Sequence, residues 1–158
     1  MDKEIIDLPI RQAVGAIITC KSKPNEICVI NKVLTEDLGG AKPVNEWDIP
    51  KGGIKVNETP VQAILRELSE ELGTQEICIK TELPIKISFD FPKTKNSKYS
   101  GQITTLFLAE YLGDPTKLKP KTQEISKLTF LPLNSIEKRL TFKETKNAIN
   151  KAKSLGYL

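Results

Sequence analysis

Short apolar runs separated by turn-forming residues set the rhythm of this chain. Val14-Gly15-Ala16-Ile17-Ile18 and Ile27-Cys28-Val29-Ile30 predict two strands, with Lys21-Ser22-Lys23-Pro24-Asn25 as the turn between them. Further strands are expected at 77–80, 85–91, 103–112 and 128–133. A loop is expected from Asp37-Leu38-Gly39-Gly40 to Pro43, continuing through Trp47-Asp48-Ile49-Pro50-Lys51-Gly52-Gly53. A basic loop from Lys93 to Gln102 interrupts the later strands, and a helix from Phe142 to Ser154 closes the chain. Strands interspersed with a few helices predict one mixed-sheet α/β sandwich, with residues 1–158 forming a single domain.

The clearest element is a helix from Thr59 to Leu72. Thr59 is a good N-cap, Pro60 suits the first helical position, Gln62 completes a capping box, and Gly73 suits a left-handed end. Val61, Ile64, Leu65, Leu68 and Leu72 fall on one stripe, which is expected to face the core. Glu67, Glu70 and Glu71 share a different face, with Ala63 beside them. Like charges at i, i+3 and i+4 repel by a few tenths of a kcal/mol per pair. They also sit near the helix C-terminus, where the macrodipole disfavours anions. A bare glutamate triplet would read as a solvated acidic face. The glycine turn at Gly52-Gly53 changes the picture, because glycine lets backbone approach a metal or phosphate closely. Hard oxygen donors of this kind suit Mg²⁺ or Mn²⁺.

Composition narrows the chemistry. The chain has no histidine, which removes the commonest general base, the serine-type triad and imidazole metal ligands. Carboxylates, lysines or tyrosines must do any acid–base or metal work. The 24 Lys plus Arg against 20 Asp plus Glu give a net +4, compatible with an anionic substrate and little more. Cys20, Cys28 and Cys78 show no CxxC spacing and read as buried free thiols in a reducing compartment. The opening Met1-Asp2-Lys3-Glu4 lacks a signal-peptide profile and no apolar run is long enough to span a bilayer, so a cytoplasmic protein without membrane association is expected.

Written out, Gly52-x5-Glu58-x7-Arg66-Glu67-Leu68-x-Glu70-Glu71-x-Gly73 resembles the signature box of the Nudix hydrolases, with Thr74 where the family prefers an aliphatic residue. The resemblance implies an α/β/α sandwich and Mg²⁺- or Mn²⁺-dependent hydrolysis of a nucleoside diphosphate linked to another group. It implies that Glu67 and Glu70 take part in catalysis with Arg66 orienting them, without saying which glutamate is the base. Glu67, Glu70, Glu71 and the backbone at Gly52 would hold metal, and Glu58 would fix the loop.

Outside the box, Arg11-x-x-Val14-Gly15, Trp47-x-x-Pro50-Lys51-Gly52-Gly53, Lys98-Tyr99-x-Gly101-Gln102 and Phe142-Lys143 resemble one branch of that family. This branch contains the diadenosine polyphosphate hydrolases and the bacterial RNA 5′-pyrophosphohydrolases. By this resemblance Glu124 adds a carboxylate from a loop opposite the helix. Arg11, Lys51, Lys98, Tyr99, Gln102, Phe142 and Lys143 would contact substrate, with Lys98 on phosphate and Tyr99 and Phe142 sandwiching a base. Lys51 stands where the RNA-processing members usually carry glutamine. The sequence therefore favours dinucleoside polyphosphates such as diadenosine tetraphosphate, with 5′-triphosphorylated RNA second and other pool nucleotides third. A catalytically silent nucleotide- or protein-binding module is the rival of another class, disfavoured because every box glutamate is present. Oligomeric state is not readable from the sequence.

Overall fold

A computed structural model of the chain describes residues 7–37, 40–93 and 97–158. Its central strand is β1 (Ile10–Cys20), in which Ala13 to Ile18 are all buried, so both faces of the strand are covered. β1 pairs in parallel with β6 (Gly101–Tyr111), from Ile10 opposite Gly101 to Cys20 opposite Tyr111. Antiparallel neighbours complete this sheet: β4 (Lys51–Gly53) on the free edge of β1, and β5 (Ile77–Asp90) on the far side of β6. A second, antiparallel sheet has β2 (Glu26–Asp37) between β3 (Gly40–Asp48) and β7 (Ile125–Pro132).

Period-two alternation on β1 and β2 sends side chains into two cores. Val14, Ala16 and Ile18 meet Cys28 and Ile30 beneath α1 (Pro60–Leu72), against Ile64, Leu68 and Leu72. Ile17 meets Ile27 and Val29 on the opposite side, under α2 (Ile136–Arg139) and α3 (Lys143–Ser154), where Ile136, Ala148, Ile149 and Ala152 close the packing. Helices on both faces of mixed-sheet strands make the expected α/β/α sandwich.

Three sequence expectations change. The loop expected around residues 37–53 contains β3 and β4. β3 gives no hydrophobic signal because it is an edge strand with polar Lys42, Asn45 and Glu46, and Pro43 is tolerated only at such an edge. The two strands expected at 77–80 and 85–91 are one strand, β5, whose register shifts between Ile79 and Thr81 and again between Glu82 and Lys86. On α1, Val61 and Leu65 are 44% and 43% exposed, whereas Ala63 is fully buried. Leu38 and Gly39 of the first expected loop and residues 94–96 of the basic loop lie outside the described residues. All three cysteines are free; Cys20 and Cys28 are buried and Cys78 is half-buried. Among the described residues no helix is long and apolar enough to cross a membrane.

Candidate active site

α1 has the caps that its sequence demands. The Thr59 hydroxyl accepts from the Gln62 N–H at 3.2 Å, the Gln62 side chain accepts from the Thr59 N–H at 2.9 Å, and Gly73 ends the helix at φ 65°. Such an N-cap contributes about 1 kcal/mol. These fixed ends set the rotation of the helix. Because Ala63 lies flat on the core while Val61 and Leu65 face outward, the inner arc extends round to Glu67 and Glu71 at three- and four-residue spacing. Glu67 retains 14% side-chain exposure; Glu70, on the outer edge, retains 55%.

Arg66 organises this arc with all five of its N–H donors. Nε and Nη2 grip the Glu58 carboxylate at 2.7 and 2.8 Å. Nη1 donates to Glu67 Oε1 at 2.8 Å and to Glu70 Oε2 at 3.3 Å, and Nη2 also donates to the Gly53 carbonyl at 2.8 Å. The guanidinium and the Lys55 N–H together hold the Glu58 carboxyl down at about 2. Glu58 is thus bound up in fixing the loop, as expected, and the Arg66 pKa is raised further above its already high value, first by the hydrogen bonds to Glu58.

Gly52 closes the other side. It pairs with Val14 on β1, so its Cα faces the α1 core, and a Cβ there would overlap the Glu67 carboxyl group. Only glycine permits so close an approach of strand and carboxylate. Burial raises the Glu67 carboxyl from its ordinary value, with Arg66 opposing.

Glu71 is the most perturbed group. Its Oε2 is sealed from solvent and, among the described residues, is the one buried side-chain polar atom without a hydrogen-bond partner. Burial first, then the negative charge of Glu67, pushes its carboxyl up to about 8; Glu124 and Glu70 add to this and Lys32 opposes it. The same burial, with Glu71 nearby, pushes the Cys28 thiol up to about 12. Glu124 reaches this cluster through a β-bulge: its carbonyl accepts from the Val33 N–H at 2.7 Å and the Leu34 N–H at 3.4 Å, where the β2 register shifts. Lys32 was not anticipated from the sequence; a lone lysine on a strand carries no signal until the bulge brings it to Glu71.

The sequence-predicted substrate residues separate into groups. Arg11 and Gln102 lie opposite one another on β1 and β6, and Arg11 Nη1 donates to Gln102 Oε1. Arg11 also packs over Gly53, where an added Cβ would meet Nη2 at 2.6 Å, and its charge favours ionised Glu67. Lys51 is engaged with Asp48 and Thr145. Lys98, Tyr99 and Lys143 are exposed, and Phe142 is half-buried at the N-cap of α3. Among the described residues the aromatic pair in contact is Phe89–Phe91, at 5.6 Å, and not Tyr99 with Phe142.

The donor set suits a hard divalent cation: several carboxylates, an orphaned buried oxygen and a strand cleared of side chain by glycine. Among the described residues no three acidic, cysteine or histidine side chains already form a metal cage. Arg66 accounts for this in part, since it holds one oxygen each of Glu67 and Glu70.

Comparison with known proteins agrees with this geometry. The NUDIX domain profile matches residues 9–152. A Helicobacter pylori protein named RNA pyrophosphohydrolase is 35% identical over 136 residues, covering 82% of this chain and 83% of that protein. One of the same name from Nitratiruptor is 37% identical over 102 residues, 62% of this chain and 66% of that protein. Among solved structures, the MutT protein of Methanosarcina mazei superposes with a TM-score of 0.73 at 16% identity, covering 97% of this chain and 99% of that one. A Caenorhabditis elegans Ap4A hydrolase gives 0.69 at 18% identity, covering 92% and 97%. At these identities the structural likeness speaks for the fold alone. With the profile spanning nearly the whole chain and the box glutamates gathered on α1, the protein belongs to the Nudix domain family and is a hydrolase of phosphoanhydride bonds in nucleotides.

Proposed function

We propose that this protein is an RNA 5′-pyrophosphohydrolase, acting on the triphosphate end of RNA with Mg²⁺ or Mn²⁺ held by Glu67, Glu70, Glu71, Glu124 and the Gly52 carbonyl. What supports the substrate is the name shared by the relatives that align over most of the chain. The dinucleoside polyphosphate reading drew on Lys51. That argument loses its force here, because the Lys51 ammonium is engaged by Asp48 and Thr145.

What supports the metal is Glu71. A carboxyl kept from ionising first by burial and then by the Glu67 charge, with a sealed and unpartnered oxygen, is an expensive arrangement unless a cation offsets it. A divalent ion there supplies neutralisation of the charge that spreads over the phosphates and lowers the pKa of an attacking water. The chain's own residues do the rest. Arg66 keeps Glu67 and Glu70 aimed at the same place, Glu58 keeps Arg66 from swinging away, and Gly52 leaves Glu67 room. Arg11 with Gln102, and Lys98 with Lys143, offer donors to the phosphates, while Tyr99 and Phe142 offer faces to the base.

The test compares a short 5′-triphosphate RNA with diadenosine tetraphosphate under one set of metal conditions. The RNA is expected to exceed the dinucleotide in kcat/KM by at least about tenfold. The reverse ranking overturns the substrate assignment in favour of a dinucleoside polyphosphate hydrolase.

A further inference from the structure

Lys51 is the first residue of β4 and pairs with Gly15, so its side chain points away from α1 and towards α3. There its ammonium donates to Asp48 Oδ2 at 2.9 Å and to Thr145 Oγ1 at 2.8 Å. The Thr145 hydroxyl in turn donates to Asp48 Oδ1 at 2.9 Å, and that oxygen also accepts the Ile49 N–H at 2.8 Å. The three side chains close a ring. Only 14% of Lys51 and 15% of Asp48 remain exposed, and Thr145 is completely buried. Contacts next door reinforce the joint: Trp47 and Thr141 exchange hydrogen bonds at 2.8 and 3.0 Å, and Arg139 lies over the Trp47 ring at 4.8 Å.

Period-two alternation gives this ring its significance. Lys51 faces α3 while its neighbour Gly52 faces Glu67 on α1. Thr145 sits in the first turn of α3, three residues after Phe142, whose carbonyl accepts from the Lys146 N–H at 3.2 Å. A displacement of Thr145 therefore moves Phe142 and Lys143 with it. We propose that Asp48, Lys51 and Thr145 form a clasp that positions Phe142 and Lys143 relative to the Gly52–Glu67 contact, and that Lys51 acts on substrate through this positioning rather than by touching phosphate. This rests on the reading of Phe142 as a nucleotide contact.

The experiment uses full-length protein with magnesium and a 5′-triphosphate oligoribonucleotide. Lys51→Met and the near-isosteric Thr145→Val are each expected to raise KM about tenfold while kcat changes by less than about threefold. Hydrogen exchange of the amides whose bonds close the first turn of α3, beginning with the Lys146 N–H on the Phe142 carbonyl, is expected to quicken about tenfold, with α1 unchanged. Lys51→Gln, whose amide still donates, recovers part of the KM. In a Phe142→Ala background neither variant is expected to raise KM further, because the residue that they position is gone. The same tenfold rise in that background overturns the proposal, since Lys51 would then reach substrate independently. Unchanged exchange in both variants overturns the clasp itself. A wild-type KM for Phe142→Ala alone overturns instead the nucleotide-contact reading beneath it, a result distinguishable from the other two.

Discussion

Glu71 makes the metal-free protein sensitive to pH in a direction opposite to that of carboxylates held ionised by a cationic or hydrogen-bonding partner. Its carboxyl is pushed from 4.5 to about 8, chiefly by burial and then by Glu67. The folded protein therefore holds a proton that the unfolded chain has released across that interval. Where the native state binds more protons, stability falls as pH rises. The contribution is fully present below about pH 4.5 and is lost progressively up to about pH 8, at about 1.4 kcal/mol per pH unit. The full interval amounts to roughly 5 kcal/mol, an upper limit because side-chain rotation and water entry relieve part of the ionised state's penalty.

The assay is urea unfolding in EDTA from pH 5 to 8.5, followed by the fluorescence of Trp47, the sole tryptophan. Glu71→Gln keeps the shape of the protonated side chain and cannot ionise. Relative to that variant, wild type is expected to lose stability by about 1 kcal/mol per pH unit between pH 5 and 8. Magnesium at a hundred times its dissociation constant restores about 2.7 kcal/mol to wild type at pH 8 and much less to the variant. Parallel curves for the two proteins in EDTA would refute the reasoning, for they would mean that the Glu71 carboxylate is accommodated without a cation.

The remaining predictions concern turnover and binding. Glu70→Gln or Glu71→Gln is expected to lower kcat at least about a hundredfold in a phosphate-release assay, while circular dichroism shows the fold retained. Gly52→Ala puts a methyl group into the Glu67 carboxyl and is expected to reduce kcat/KM by a comparable factor, with near-wild-type rates counting against the close approach. Arg66→Lys replaces five donors by three that cannot grip Glu58 in bidentate fashion, so a loss of about 1–3 kcal/mol in urea unfolding is expected together with a fall in kcat. Tyr99→Ala and Phe142→Ala should each raise KM about tenfold, the equivalent of one stacked base; unchanged values for both would return these rings to packing roles.

How much of this was legible in the sequence depends on which physical signal each residue emits. The ends of α1 were legible because Thr59, Gln62 and Gly73 act locally, through bonds to groups three or four residues away, and Pro60 through its own fixed φ. Its rotation was not. Apolar periodicity drew the inner stripe through Val61 and Leu65, which are exposed, because hydrophobic patterning assigns charged positions to solvent. β3 was invisible for the complementary reason that an exposed edge strand need not be apolar. The glutamates were found by their spacing, whereas Thr145 and Lys32 were missed because each acts with partners distant in sequence, and Asp48 because its local bonds to Lys51 and Ile49 form a ring only when Thr145 joins them.

The misjudged rotation is itself informative about the site. Had α1 buried Val61 and Leu65, it would have covered more apolar surface, worth on the order of 1.5–3 kcal/mol for each side chain fully buried. The observed helix instead leaves both half out and turns Ala63, Glu67 and Glu71 inward. Ala63 is what allows it, since a larger residue at that fully buried position would push the helix off β1 and β6 and carry the carboxylates away from Gly52. Hydrophobic burial alone would choose the other rotation. The one adopted sacrifices apolar contact and confines repelling charge, and it becomes favourable when a cation binds the folded carboxylates and not the unfolded chain, so that ligand binding adds to folding stability. The departure from simple amphipathicity on α1 thus turns inward Glu67 and Glu71, the pair in which burial first and then the Glu67 charge raise the Glu71 carboxyl.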